Sequence, residues 1–145
     1  MAKDRVIRQD QLDRLFTAAL EAAIGRVEKD GHFHPLVFEL RYNGAIQAIV
    51  LLETGEVNDE RGPVERLFDL LRPRAQCGTI YGVAIALLHS SSAVLEVQVR
   101  AANYSSDIRV PFTMETTGVF KRKRRINLGE FSHRPARNNL FGTPA

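Results

Sequence analysis

Between residues 10 and 30, apolar side chains recur at intervals of three and four: Leu12, Leu15, Phe16, Ala19, Leu20, Ala23, Ile24 and Val27. That spacing lines one side of a helix and predicts one from about Asp10 to Asp30. Asp10 is placed to cap the free amides, Asp13 adds negative charge in the first turn, and Gly31 supplies a left-handed stop. At ~1.5 Å per residue the rod is ~30 Å long, so it needs an apolar surface to lie on.

The next segment supplies that surface. Leu36-Val37-Phe38-Glu39-Leu40-Arg41-Tyr42 alternates, and Asn43-Gly44 separates it from the apolar run Ala45 to Leu52. Asn-Gly between two apolar strands predicts a two-residue type I′ hairpin. Its register sets Tyr42 opposite Ala45, Leu40 opposite Gln47, Phe38 opposite Ile49 and Leu36 opposite Leu51. An acidic loop, Thr54 to Glu60, leads to a short helix over 62–71 that buries Val64, Leu67, Phe68 and Leu71. Pro63 suits its first turn and Pro73 ends it.

Thr79 to Leu88 has the composition of a mostly buried strand. Ser90-Ser91-Ser92 turns the chain, and Ala93 to Ala101 returns with Ala93, Leu95, Val97 and Val99 on one face. Glu96, Gln98 and Arg100 point the other way, as in a sheet with one wet side. After a turn over 103–107, Ile108, Val110, Phe112 and Met114 form the apolar face of a further strand, where Pro111 calls for an edge or a bulge. Ile126-Asn127-Leu128 adds a short strand. The order predicts an α+β domain, with both helices packed on one face of a largely antiparallel sheet of five or six strands. Residues 1–128 make up this single domain, and residues 129–145 are expected as a loosely held C-terminal tail.

The segment from Val83 to Met114, with its aliphatic strand, its turn, the strand through Val94-Leu95-Glu96-Val97-Gln98-Val99 and its return strand, resembles the layout of certain small bacterial α+β proteins of unassigned function. The likeness extends to Phe120-Lys121-Arg122 and to the Asn139-Leu140-Phe141 close. It implies this fold and no residue-level role.

Composition adds exclusions. The 145 residues are 44% apolar and 26% charged, as in soluble globular domains. The longest apolar runs, 48–52 and 83–88, fall far short of the roughly 18 residues of a membrane-spanning helix. The first residues lack the apolar core of a signal peptide. Cys77 is the single cysteine, which excludes an internal disulfide framework and a thiolate-rich zinc site. The expected location is the cytoplasm, with no membrane contact.

Charge is uneven: residues 1–71 hold nine Lys and Arg against thirteen Asp and Glu, and residues 72–145 hold eleven against four. Most of the excess lies in Lys121-Arg122-Lys123-Arg124-Arg125. On an extended chain Lys121, Lys123 and Arg125 share a face at ~6.6 Å intervals, with Arg122 and Arg124 opposite. That spacing is near the phosphate repeat of an extended nucleic-acid strand, and these five residues are the candidate nucleic-acid-binding set. Arg134 and Arg137 would lengthen it, and Phe120 or Phe131 would stack on bases. No RNP signature, GXXG loop or helix-turn-helix accompanies it, and a charged run also serves to keep an edge strand from pairing.

Other clusters fall short of chemistry. His32-Phe33-His34 has ligand spacing but needs further ligands from His89 or His133. Cys77 would need a base such as His89, and burial is the ordinary state of a lone cysteine. Phosphate-loop and nucleophile-elbow motifs are absent. No catalytic set, metal site or cofactor is predicted. The expected function is a non-enzymatic protein-binding or self-associating module, its acidic and basic halves favouring a partner protein or a second copy. The alternatives are nucleic-acid binding through residues 121–125, and a small hydrolase or metal enzyme using His32, His34, His89 or Cys77.

Overall fold

The computed structural model describes residues 7–33, 35–49, 63–118, 123–138 and 140–141, with backbone alone for 63–66. The elements are α1 (Gln9–Asp30), β1 (Leu36–Arg41), β2 (Ile46–Ile49), α2 (Pro63–Gln76), β3 (Ile80–His89), β4 (Val94–Ala101), β5 (Tyr104–Thr117), β6 (Lys123–Leu128) and β7 (Ser132–Pro135). They form an α+β domain with a seven-stranded antiparallel sheet in the order β2-β1-β3-β4-β5-β6, and β7 pairs with β5.

The long first helix lies on the sheet as its periodicity requires. Leu12, Leu15, Ala19, Leu20, Ala23 and Val27 pack against Leu40, Ala84, Ala86, Leu95, Val97 and Val99. The approach is tight at Gly82, where an added Cβ would stand 3.1 Å from Ile7 and 3.2 Å from Leu15. Gly31 ends the helix at φ +82°, its N–H bonded to the Val27 carbonyl. Asp10 does not cap the helix. It lies in the first turn, and the Gln11 side chain accepts the Arg8 N–H instead.

The second helix covers the opposite face, which corrects the expectation that both helices share one. Its Leu67, Phe68, Leu71 and Ala75 meet Val37, Ile80, Val83, Ile85 and Leu87. β3 explains this: Val83, Ile85 and Leu87 on one side and Ala84 and Ala86 on the other are all buried. A strand apolar on both faces demands cover on both. The face expected to be wet is thus partly roofed. The helix also runs on through Pro73 to Gln76, because the ring at Pro73 removes one backbone bond without forbidding a last turn, and the Cys77 N–H bonds to the Pro73 carbonyl.

The Asn-Gly reversal is present with a different register. β1 pairs with β2 as Leu40 to Ile46, Glu39 to Gln47, Phe38 to Ala48 and Val37 to Ile49. Three residues, Tyr42 to Gly44, make the loop; Arg41 bonds to Ala45, and Gly44 takes φ +88°. This is the three-residue hairpin closed by a left-handed glycine. A shift of one residue flips every side chain. Here it puts Ile46 and Ala48 on the face of Leu40 and Phe38 and leaves Gln47 across from Glu39. The predicted part of that strand beyond Ile49, and the acidic loop, lie outside the described residues.

The C-terminal part is more structured than a loose tail. The turn after β4 contracts to Ala102–Asn103, so β5 begins at Tyr104. β6 pairs with Phe112 to Thr117 and β7 with Ser106 to Arg109, leaving 129–131 as a break opposite Val110 and Pro111. Pro111, which has no N–H, sits at that break, its carbonyl accepting the Gly129 N–H at 2.7 Å. Leu140 is buried among the residues under α2, and the Asn138 amide bonds to the Ala101 carbonyl.

Candidate functional site

The basic run enters β6. Lys121 and Arg122, with Phe120, lie outside the described residues. Lys123, Arg124 and Arg125 are exposed, opposite Thr117, Thr116 and Glu115 of β5. Ile126 is buried against α1, so alternation turns Arg124 toward that helix and Lys123 and Arg125 away from it. Arg124 Nη1 donates to the Lys29 carbonyl at 3.1 Å, and the Glu28 carboxylate accepts the Ile126 N–H at 2.9 Å. A guanidinium at a helix C-terminus satisfies free carbonyls and the negative end of the dipole. One member of the candidate set therefore closes α1, and Glu115 stands across from another, Arg125. Arg134 lies farther along on β7, paired in register with Asp107. Phe131 packs edge-on against Phe16, ring centroids 6.0 Å apart.

The same two strands create an open margin. β4 pairs with β5 only as far as Val94 and Pro111, and the last bond on that side runs from the Phe112 N–H to the Ala93 carbonyl at 3.0 Å. Beyond it, among the described residues, β5 is paired on its β6 side alone. The alternation of an antiparallel strand then directs the N–H and C=O of Met114 and Thr116 to the open side. A groove of about 390 Å³ reaches Met114 and is walled by Val27, Leu88, Ala93, Phe112 and Met114 itself. Met114 is 44% exposed. The alternation of Ile108, Val110, Phe112 and Met114 marks this strand, but nothing local in the sequence shows that its neighbour stops short.

On the α2 side, sequence reasoning missed a set of buried charges. Glu39 is fully buried and held by Arg74 at 2.6 and 2.8 Å and by Arg41 at 3.4 Å. Glu96 accepts from His89 at 3.2 Å, Gln98 at 2.7 Å and Arg109 at 3.0 Å. Burial pushes the Glu96 carboxyl up, but the Gln98 and His89 hydrogen bonds and the neighbouring positive charge outweigh it, so its pKa lies below the ordinary value. Arg100 is buried, bonded to Asp107 at 2.9 Å and to the Val99 and Ser106 carbonyls, with its guanidinium 5.5 Å from the centre of the Phe68 ring. Charged side chains on an expected wet face carry no local mark of burial. Their partners come from distant elements.

The reactive candidates are dispersed. His32 is exposed beside the Asp30 carbonyl, His34 lies outside the described residues, His89 is on Glu96, and His133 is exposed on β7. Among the described residues no three His, Cys, Asp or Glu gather as a metal set. Cys77 is exposed rather than buried, because α2 runs past Pro73 and puts it in the turn before β3. Its Sγ lies 2.9 Å from the Thr79 hydroxyl, which holds the thiol below its ordinary pKa. His89 closes the far end of the ten-residue strand β3, roughly 30 Å away at ~3.3 Å per residue. The two do not form a nucleophile–base pair.

No helix among the described residues is long and apolar enough to cross a membrane. No protein-family model, curated protein or solved structure matches the chain.

Proposed function

We propose that the protein is a non-enzymatic binding module that takes an extended segment of a partner protein as an added strand along β5. The reading is carried by one coincidence: β5 turns the backbone groups of Met114 and Thr116 to the open side, and Met114 itself lines the groove walled by Val27, Leu88 and Phe112. In strand addition the backbone supplies affinity, and pockets for alternate side chains supply specificity. Lys123 and Arg125 lie one strand away on β6, across β5 from the margin, and Glu115 is the one acid among the described residues of β6 and the adjoining half of β5. The segment that suits this margin alternates apolar residues and carries acidic ones at its ends.

The test is a titration of isotope-labelled protein with a synthetic peptide of alternating valine and threonine, flanked by aspartates. The Met114 and Thr116 amides shift selectively, and Met114→Asp weakens binding by at least about tenfold, or ~1.4 kcal/mol. Absence of binding, or binding that Met114→Asp leaves intact, would overturn the reading. Binding of a single-stranded oligonucleotide and not the peptide would overturn it in favour of nucleic acid.

A further inference from the structure

Gln9, Leu12, Asp13 and Phe16 recur at the spacing that gathers side chains on one side of a helix. At the opposite end of α1 from Val27 and the strand groove, they close over a second hollow, of about 220 Å³. Its floor is Val99 of β4 with Tyr104 and Ile108 of β5. Val99 pairs with Ser106, and residues two apart on β5 share a face, so all three point toward α1. Phe131, from the break before β7, and His133, in register with Ile108, form the remaining wall. Phe131 meets Phe16 edge-on yet stays 47% exposed, which leaves ring surface for an occupant to cover.

The charge of this hollow is one-sided. Among the described residues its lining holds one carboxylate, Asp13, and no lysine or arginine, in a chain that has 20 of those cations. Gln9 Nε2 donates to Asp13 Oδ1 at 2.8 Å and so orients the carboxylate. Asp13 forms no ion pair among the described residues. We infer that the hollow is a binding site for a small organic cation, an ammonium group on an apolar body of about one ring. A cavity of roughly 150 Å³ accepts benzene, so this one takes a ring with a short alkyl arm. A ligand that enters strips water from the Asp13 carboxylate. An ammonium offsets that loss with a hydrogen bond and opposite charge, whereas a neutral hydroxyl supplies the hydrogen bond alone. The aromatic walls of Phe16, Tyr104 and Phe131 favour the same charge, because ring faces carry negative potential. An anion would meet a carboxylate and no countercharge. The hollow shares no lining residue with the strand groove, so this inference does not depend on the strand site.

Titration of the isotope-labelled full chain with phenethylamine tests it, against phenethyl alcohol, of equal size and no charge, and anionic hydrocinnamate. The amine at millimolar concentration should shift the amides of Asp13, Phe16, Ile108 and His133. The alcohol should bind at least about tenfold more weakly, and hydrocinnamate not at all. Asp13→Asn, at an exposed position, should weaken amine binding by about tenfold and leave the alcohol unaffected. Phe131→Ala should weaken both ligands, and circular dichroism checks the fold of each variant. Met114→Asp should leave amine binding intact, which separates this hollow from the strand site. No binding of the amine, equal binding of amine and alcohol, or amine binding that Asp13→Asn leaves intact overturns the inference.

Discussion

Arg74 of α2 grips Glu39 of β1 with two nitrogens, Nε to Oε2 at 2.6 Å and Nη2 to Oε1 at 2.8 Å, and so ties the second helix to the sheet. Glu39 is wholly enclosed, whereas the Arg74 side chain is 38% exposed. Among the described residues, removing the arginine leaves the interior carboxylate with only the longer contact to Arg41. Arg74→Ala should therefore lower stability by about 3 kcal/mol, the low end for a broken buried pair because one partner still meets water. Replacing both, as Glu39→Leu with Arg74→Met, should cost less than the single change. Urea unfolding of the three chains measures this. Equal or greater loss in the double variant would contradict it.

The link between Arg124 and the Lys29 carbonyl predicts a smaller, salt-dependent effect. Arg124→Ala should lower the melting temperature by about 2 °C, and Arg124→Glu by more, since it opposes the helix dipole. High salt should narrow the difference between the two. Thermal scans at two ionic strengths give the comparison. An Arg124→Glu chain as stable as the parent would show that the arginine does not close α1.

These two contacts show what was legible in the sequence and what was not. The first helix, its glycine stop, the reversal at Asn43-Gly44 and the break at Pro111 follow from local periodicity and backbone preference, and each is found. The placement of the second helix was not local. It depends on whether β3 is covered on one face or two, and Val83 to Leu87 is apolar in either case. The hairpin register turned on a third loop residue, with Gly44 in the left-handed conformation that closes a three-residue loop. Of the candidate site, the basic run was visible, but its division between helix closure and open surface depends on Ile126 packing under α1. The open margin at Met114 arises from β4 ending early, a relation between strands that no short segment encodes.

Glu96 links stability to acid. Its folded pKa is depressed, so its contribution is present above the ordinary carboxylate value of 4.5 and is lost as pH falls through the lower folded value. Stability should fall progressively below about pH 4.5. Glu96→Gln should flatten that acid limb while lowering stability at neutral pH. Urea midpoints across the acid range test the sign, and an unchanged acid limb in the variant would contradict the assignment.

Cys77 should alkylate readily at neutral pH. The thiol is exposed, and its hydrogen bond with the Thr79 hydroxyl favours the thiolate. Thr79→Val removes that bond, so the pH profile of iodoacetamide labelling should move to higher pH. A profile indifferent to the substitution would refute the contact's role.

Hydrogen exchange along β5 tests the strand site most directly. In the free protein, the Phe112 amide, bonded to Ala93, should be protected, while the amides of Met114 and Thr116 exchange fast. Addition of the aspartate-flanked peptide should slow both of the latter and leave Phe112 unchanged. Protection of Met114 and Thr116 equal to that of Phe112 before any peptide is added would contradict an open margin and the binding built on it.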